Sequence, residues 1–118
     1  MRYKQAPATA ESVIRVVNAL YADFDRRREY INRCDEQAAK NRDGNPEPCF
    51  NKFRELNMAL ESAVDVICEK AIRGPMMYDL KNDIGFNKSS LSLIMSHKTY
   101  YSRKRAVKLE AARRLGLI

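Results

Sequence analysis

The C-terminal stretch Met76–Ile118 reads MMYDLKNDIGFNKSSLSLIMSHKTYYSRKRAVKLEAARRLGLI. Its apolar residues fall at helical spacing in three short runs separated by polar breaks. Met77, Leu80 and Ile84 form an inner face over about 76–83, and Gly85 suits a turn position that needs positive φ. Asn87 is placed to cap a second helix running to about Met95, with Leu91, Ile94 and Met95 inward and Lys88, Ser89 and Ser92 on other faces. Residues 96–101 read as a polar bridge. Ser102 is then placed as the N-cap of a last helix, with Val107, Ala111 and Leu115 inside and Gly116 as its stop.

Upstream, glycine and proline divide the chain into two longer runs. From Thr9, a plausible N-cap, to about Arg42, the residues Val13, Val17, Leu20, Phe24 and Ile31 recur at three, four and seven, so one helix is expected. The charged run Arg26–Arg28 lies among acids and reads as a solvated, salt-bridged face. Asn41–Cys49 is a loop by composition, with Asp-Gly followed by Asn-Pro-Glu-Pro. A second helix carries Phe53, Leu56, Leu60, Ala63, Ile67 and Ala71 on one stripe, which suits an antiparallel hairpin or a coiled-coil seam. Gly74-Pro75 is expected to end it. No strand alternation occurs anywhere. The expected fold class is therefore all-α, with a helical hairpin over 1–74 for packing or homodimerisation through residues 53–71, and a three-helix unit over 75–118.

Composition narrows the function. A chain of 118 residues, 45% hydrophobic, supports one core of ordinary size. No run approaches the roughly 20 apolar residues of a membrane span, and Met1–Ala10 lacks the apolar middle of a signal peptide, so a soluble, cytoplasmic chain without a membrane partner is expected. Cys34, Cys49 and Cys68 are far apart with no C-x-x-C pair, which fits reduced thiols better than a disulfide framework or a zinc ribbon. His97 is the sole histidine, leaving no His-Cys or His-Asp constellation, and its expected role is at the surface. No G-x-S-x-G, phosphate-binding glycine loop or H-E-x-x-H is present, and the acids are scattered among bases. Neither catalysis nor a cofactor or metal is expected.

The net charge of +7 is not spread evenly. Residues 1–80 balance, whereas residues 81–118 carry Lys81, Lys88, Lys98, Arg103, Lys104, Arg105, Lys108, Arg113 and Arg114 against only Asp83 and Glu110. A basic, apolar-patterned unit beside a neutral one points to a polyanionic partner such as nucleic acid. A short helix, a tight turn and a second helix that starts with small polar residues is the geometry of a major-groove reader.

The runs Asp83-Ile84-Gly85-Phe86-Asn87-Lys88-Ser89-Ser90-Leu91-Ser92, Ser96-His97-Lys98 and Glu110-Ala111-Ala112-Arg113-Arg114-Leu115-Gly116 carry a resemblance. Together they resemble the lambda-repressor-like helix-turn-helix superfamily, in particular the lactose-repressor-type headpiece and the Cro or C-type regulators of phages and plasmids. The resemblance covers about 76–117 and leaves the N-terminal hairpin unassigned. It implies double-stranded DNA as partner and a role as a transcriptional regulator. Lys88 and Ser89 match the base-reading positions of the pattern, and Ser92 the small polar position that touches phosphate. Leu93 stands where the family often has a long polar base contact; it suits a thymine methyl, or equally packing on the hairpin. The N-terminus of helix 87–95, at Asn87, and the cations Lys98, Arg103, Lys104 and Arg105 are expected on phosphates. The chain has no room for a sugar-binding domain, so no small-molecule ligand is implied. The competing expectations are a protein-interaction module that keeps the helix-turn-helix as scaffold, and a purely electrostatic nucleic-acid binder. Tyr100 and Tyr101 are expected to pack rather than to touch a phosphodiester.

Overall fold

The computed structural model describes residues 10–40 and 48–118, and they form an all-α fold. The helices are α1 (Ala10–Ala22), α2 (Phe24–Lys40), α3 (Pro48–Ile67), α4 (Lys70–Asn82) and α5 (His97–Arg114), with two 3-10 turns, Phe86–Lys88 and Ser90–Leu93, between the last two. The Thr9 cap and most of the 41–49 loop lie outside the described residues. Pro48 opens α3, the first-turn position that proline favours because no intrahelical N–H is missed there.

The single helix expected from Thr9 to Arg42 is interrupted at Asp23 alone, and the four-residue ladder continues there, from Asp23 N to Ala19 O at 3.2 Å and from Arg27 N to Asp23 O at 3.1 Å. The interruption is stabilised by buried polar contacts from two directions. The Arg27 guanidinium donates to the Leu20 carbonyl and, through Nε, to Asn57 Oδ1 at 2.8 Å. Asn57 on α3 donates in turn to the Phe24 carbonyl at 3.2 Å. Arg27 is buried rather than solvated as its neighbours suggested; burial lowers its pKa from the usual arginine value, against a smaller opposing effect of Asp23. Arg28 does fit the solvated face, pairing with Glu61 across half-exposed surface.

α2 and α3 run antiparallel, as the pairs Tyr30–Phe53 and Arg54–Asp35 show beside Arg27–Asn57. Tyr21 closes the seam, donating to the Leu60 carbonyl at 2.9 Å; burial pushes its phenol well above the usual tyrosine range. The centre of the apolar stripe of α3 packs here. Leu60 and Ala63 are buried within the chain, together with Val64 and Cys68, and Phe53 stacks edge-on against Tyr30. Of the stripe expected as a dimer seam, the centre at Leu60 and Ala63 thus lies in this chain's own core, whereas Ala71 falls on α4 and is exposed.

α3 ends at Ile67 rather than at Gly74-Pro75. α4 begins at Lys70, so Gly74 and Pro75 sit inside it. Proline this close to a helix start removes only one backbone bond, and Arg73 offsets the break before it by donating to the carbonyls of Cys68 and Asp65 at 3.0 and 2.9 Å. The extra turn puts Ile72 and Met76 into the core beside Leu80.

α5 lies against α3 and α1 and completes one continuous core, in which Val17, Leu60, Met76, Leu91, Tyr100, Val107 and Ala111 all touch the same cluster. Each fully buried aliphatic side chain contributes about 1.5–3 kcal/mol by leaving water. The last helix starts at His97, because Ser96 rather than Ser102 is the N-cap: its Oγ accepts from the Thr99 amide at 3.1 Å. The end agrees with the sequence reading. Gly116, at φ 74°, closes a Schellman motif, with Leu117 N donating to Ala112 O at 2.8 Å and Gly116 N to Arg113 O at 3.1 Å.

The left-handed residue after α4 is Asp83, at φ 53°, not Gly85, whose φ is −90°. An acid there also meets the negative end of the α4 dipole. Asp83→Gly is therefore expected to stabilise the fold by about 0.5–1 kcal/mol, raising the melting temperature a few degrees. A lower melting temperature for that variant would contradict the left-handed geometry at this position. Gly85 is needed for a different reason: a Cβ there would lie 3.2 Å from the Tyr101 hydroxyl.

Candidate nucleic-acid interface

Residues 86–95 connect α4 to α5 at the surface, and their backbone decides what they can present. The expected α-helix over 87–95 does not form. Lys88 N bonds to Gly85 O, Ser89 N to Phe86 O, Ser92 N to Ser89 O and Ile94 N to Leu91 O, all three residues back, which is the 3-10 pattern. Serine side chains take the remaining backbone groups. Ser89 Oγ accepts from Leu91 N at 3.0 Å, and Ser92 Oγ donates to the Ser89 carbonyl at 2.8 Å. Such local side-chain bonds compete with the four-residue ladder. The cap is accordingly Ser89, not Asn87.

What ties this segment down is a buried carboxylate. Asp79, 2% exposed, accepts from the Ser89 hydroxyl and, at 2.8 Å, from the Tyr100 hydroxyl. The Ile84 carbonyl lies 3.0 Å from the same phenol and accepts from Lys104 Nζ at 2.6 Å. Burial and then the hydrogen bond to Asp79 push the Tyr100 phenol above its usual range. Leu91, 1% exposed, adds the apolar anchor.

Two of the expected contact residues leave the candidate set on this account. Ser89 is buried with its hydroxyl committed to Asp79, so it does not face a base. Lys104 is buried with its ammonium on Ile84 and over the Tyr100 ring, so it does not face a phosphate; a four-carbon stem allows a lysine to lie along a core and satisfy its head at a carbonyl. Arg103 is partly committed, pairing with Glu69 at 3.0 Å at the α3–α4 junction. Ser92 is half-buried.

The other expected residues stand in solvent. Asn87, Lys88 and Leu93 are exposed on the segment, and Lys98 and Arg105 are exposed on α5. Among the described residues none of Lys88, Lys98 and Arg105 has an acidic partner within salt-bridge distance. Leu93 does not pack on the hairpin: it is 86% exposed. Its neighbour Ile94, expected inward, is 67% exposed, because the 3-10 turn rotates it off the Leu91 face.

Aromatic rings brace the junction. Phe86 meets His97 and Tyr100 edge-on at 5.2 and 5.6 Å, and His97 meets Tyr101 at 4.8 Å. The Tyr101 hydroxyl accepts from Phe86 N at 3.1 Å. The tyrosines pack, as their position at a helix start suggested, and His97 stays exposed.

No family model, no curated protein and no solved structure matches the chain. The reading of the interface thus rests on its own residues. Among the described residues no His, Cys, Asp and Glu side chains gather into a metal-binding group, and no helix is long and apolar enough to cross a membrane. Sequence reasoning missed Asp79 and Ser90: nothing in the helical spacing distinguishes an acid aimed inward from one on a solvated face, and Ser90 becomes prominent only once 3-10 winding turns Ser89 inside.

Proposed function

We propose that this protein binds double-stranded DNA and acts as a sequence-specific transcriptional regulator, presenting residues 87–94 to the major groove and Lys98 and Arg105 to the flanking phosphates. The observation that carries the reading is the placement of the 86–95 segment. It stands outside the core with Asn87, Lys88, Ser90, Leu93 and Ile94 in solvent, while Ser89 and Leu91 beneath it are anchored to Asp79 and the core. A rigid, protruding element of small polar residues with one cation, flanked by unpaired cations, is what a groove reader needs, since little ordering remains to be done on binding. The two adjacent turns are short, so the reading element is a compact knob rather than a long helix, and Leu93 and Ile94 at its tip suit thymine methyls.

The test is a selection from a pool of random duplexes, with binding followed by fluorescence anisotropy at two salt concentrations. An enriched motif that persists at the higher salt is expected. Lys88→Ala is expected to weaken the selected site by about 1–3 kcal/mol and relax its specificity at one position. Lys98→Ala is expected to weaken all duplexes alike and to reduce the slope of log affinity against log salt by about one.

A second reading, a protein-interaction module, is favoured by one observation: Leu93 and Ile94 are neighbouring large apolar side chains in solvent. It predicts no enriched duplex at either salt.

A further inference from the structure

The basic surface that this reading uses at Lys98 and Arg105 continues along α5 into a groove that it does not use. Lys98, Tyr101, Arg105 and Lys108 recur at three, four and three residues, so they share one stripe along α5. The lower part of the stripe borders a groove of about 400 Å³, where Ile14 of α1 faces Tyr101, Lys104, Arg105 and Lys108 of α5, with Asp83 and Gly85 at its end. A second hollow of about 270 Å³ adjoins it at Asp83, Lys104 and Lys108.

The groove is unbalanced in charge. It has three cations and one acid, and among the described residues no acid lies within 4.0 Å of Arg105 or Lys108. Lys104 is held by the Ile84 carbonyl, so the unspent donors are the Arg105 guanidinium and the Lys108 ammonium. Lys108 is in an unfavourable setting: burial first, then Lys104 and Arg105, lower its pKa, and Asp83 opposes them only in part. A bound anion relieves that cost. Neutral donors also belong to residues that line the groove. The Tyr101 hydroxyl accepts from Phe86 N, which leaves its own proton to give, and the Gly85 N–H has no acceptor among the described residues. A guanidinium, an ammonium, a phenol and a glycine amide around one hollow match the oxygens of a phosphate group.

We propose that the groove between α1 and α5 is a phosphate-binding site, in which Arg105 and Lys108 supply the charge and Tyr101 and Gly85 the neutral donors. The site shares Arg105 with the DNA reading but does not require that reading, because the phosphate comes either from a bound duplex or from a small phosphorylated molecule.

The test titrates the full chain with inorganic pyrophosphate, by calorimetry and by amide NMR. Saturable binding is expected, with shifts at Gly85, Phe86 and Arg105 and a rise in the Lys108 pKa. The double substitution Arg105→Ala with Lys108→Ala is expected to weaken binding by about tenfold or more, while Lys52→Ala, on exposed α3 surface, leaves it unchanged. A melting curve verifies that the double variant is folded, and Arg105→Gln alone, at an exposed position, is expected to show an intermediate loss. Non-saturable binding, or equal weakening by Lys52→Ala, overturns the site. The source is decided by competition: a duplex from the selection that displaces pyrophosphate makes the occupant a DNA phosphate, and one that leaves it bound makes the occupant a small phosphorylated molecule. A chain that binds pyrophosphate here but enriches no duplex refutes the DNA reading alone.

Discussion

Replacing Asp79 with alanine is expected to cost about 3–4 kcal/mol of unfolding free energy and to lower the melting temperature by roughly 10–15 °C. The side chain is 2% exposed and takes two hydroxyl donors: without the carboxylate, Ser89 loses its buried acceptor and Tyr100 keeps only the Ile84 carbonyl at 3.0 Å. The stranded Ser89 hydroxyl costs about 1–3 kcal/mol, and the lost bond to Tyr100 and the space left by the carboxylate add to it. The effect is not confined to stability. Ser89 caps the 3-10 turn by accepting from Leu91 N, and its own orientation is fixed by Asp79, so amide-exchange protection at Leu91 is expected to fall more than at Leu60 on α3. Urea denaturation with hydrogen exchange measures both. A loss under 1 kcal/mol, or uniform exchange changes, would mean that Asp79 does not anchor the segment.

The second large effect is expected at the opposite side of the core. Asn57→Ala should cost about 2–3 kcal/mol, because one amide satisfies both the buried Arg27 guanidinium and the Phe24 carbonyl at the junction between α1 and α2. Truncation leaves Arg27 Nε without its acceptor and takes from the Phe24 carbonyl its donor on α3. The exposed pair Arg54–Asp35 serves as the contrast, since removing it should change stability by less than about 1 kcal/mol. Comparable losses from both changes would refute the assignment of Arg27 and Asn57 as the polar lock of the bend.

Both predictions concern groups that helical spacing misplaces, and this marks the limit of what the chain discloses by pattern. Apolar periodicity identifies Val13, Val17, Phe24 and Ile31 as inward, and they are buried; it also leads to the antiparallel pairing of α2 and α3 and to the stop at Gly116. Those features follow from local spacing and from one glycine in a left-handed turn. The interruption at Asp23 does not, because it is held by Arg27 and Asn57, thirty residues apart in sequence. The α3–α4 boundary is hidden because Gly74-Pro75 is a strong stop signal that a helix nonetheless tolerates in its early turns. The last helix is capped by Ser96, inside the stretch read as a polar bridge, rather than by Ser102, and so brings Tyr100 in its first turn onto the buried Asp79. At the interface, Lys88, Lys98 and Arg105 are legible as exposed cations, whereas Ser89 and Lys104 have the same residue chemistry and lie inside. Only long-range packing separates them.

The claim that residues 87–94 and the exposed cations of α5 form the DNA surface is tested most directly by titrating the isotope-labelled chain with its selected duplex and following amide shifts. The account predicts that the largest changes fall at Asn87, Lys88, Ser90, Leu93, Ile94, Lys98 and Arg105, with α2 and the exposed side of α3 unmoved. Shifts concentrated on α2 or α3, or no saturable change with any duplex, would contradict it.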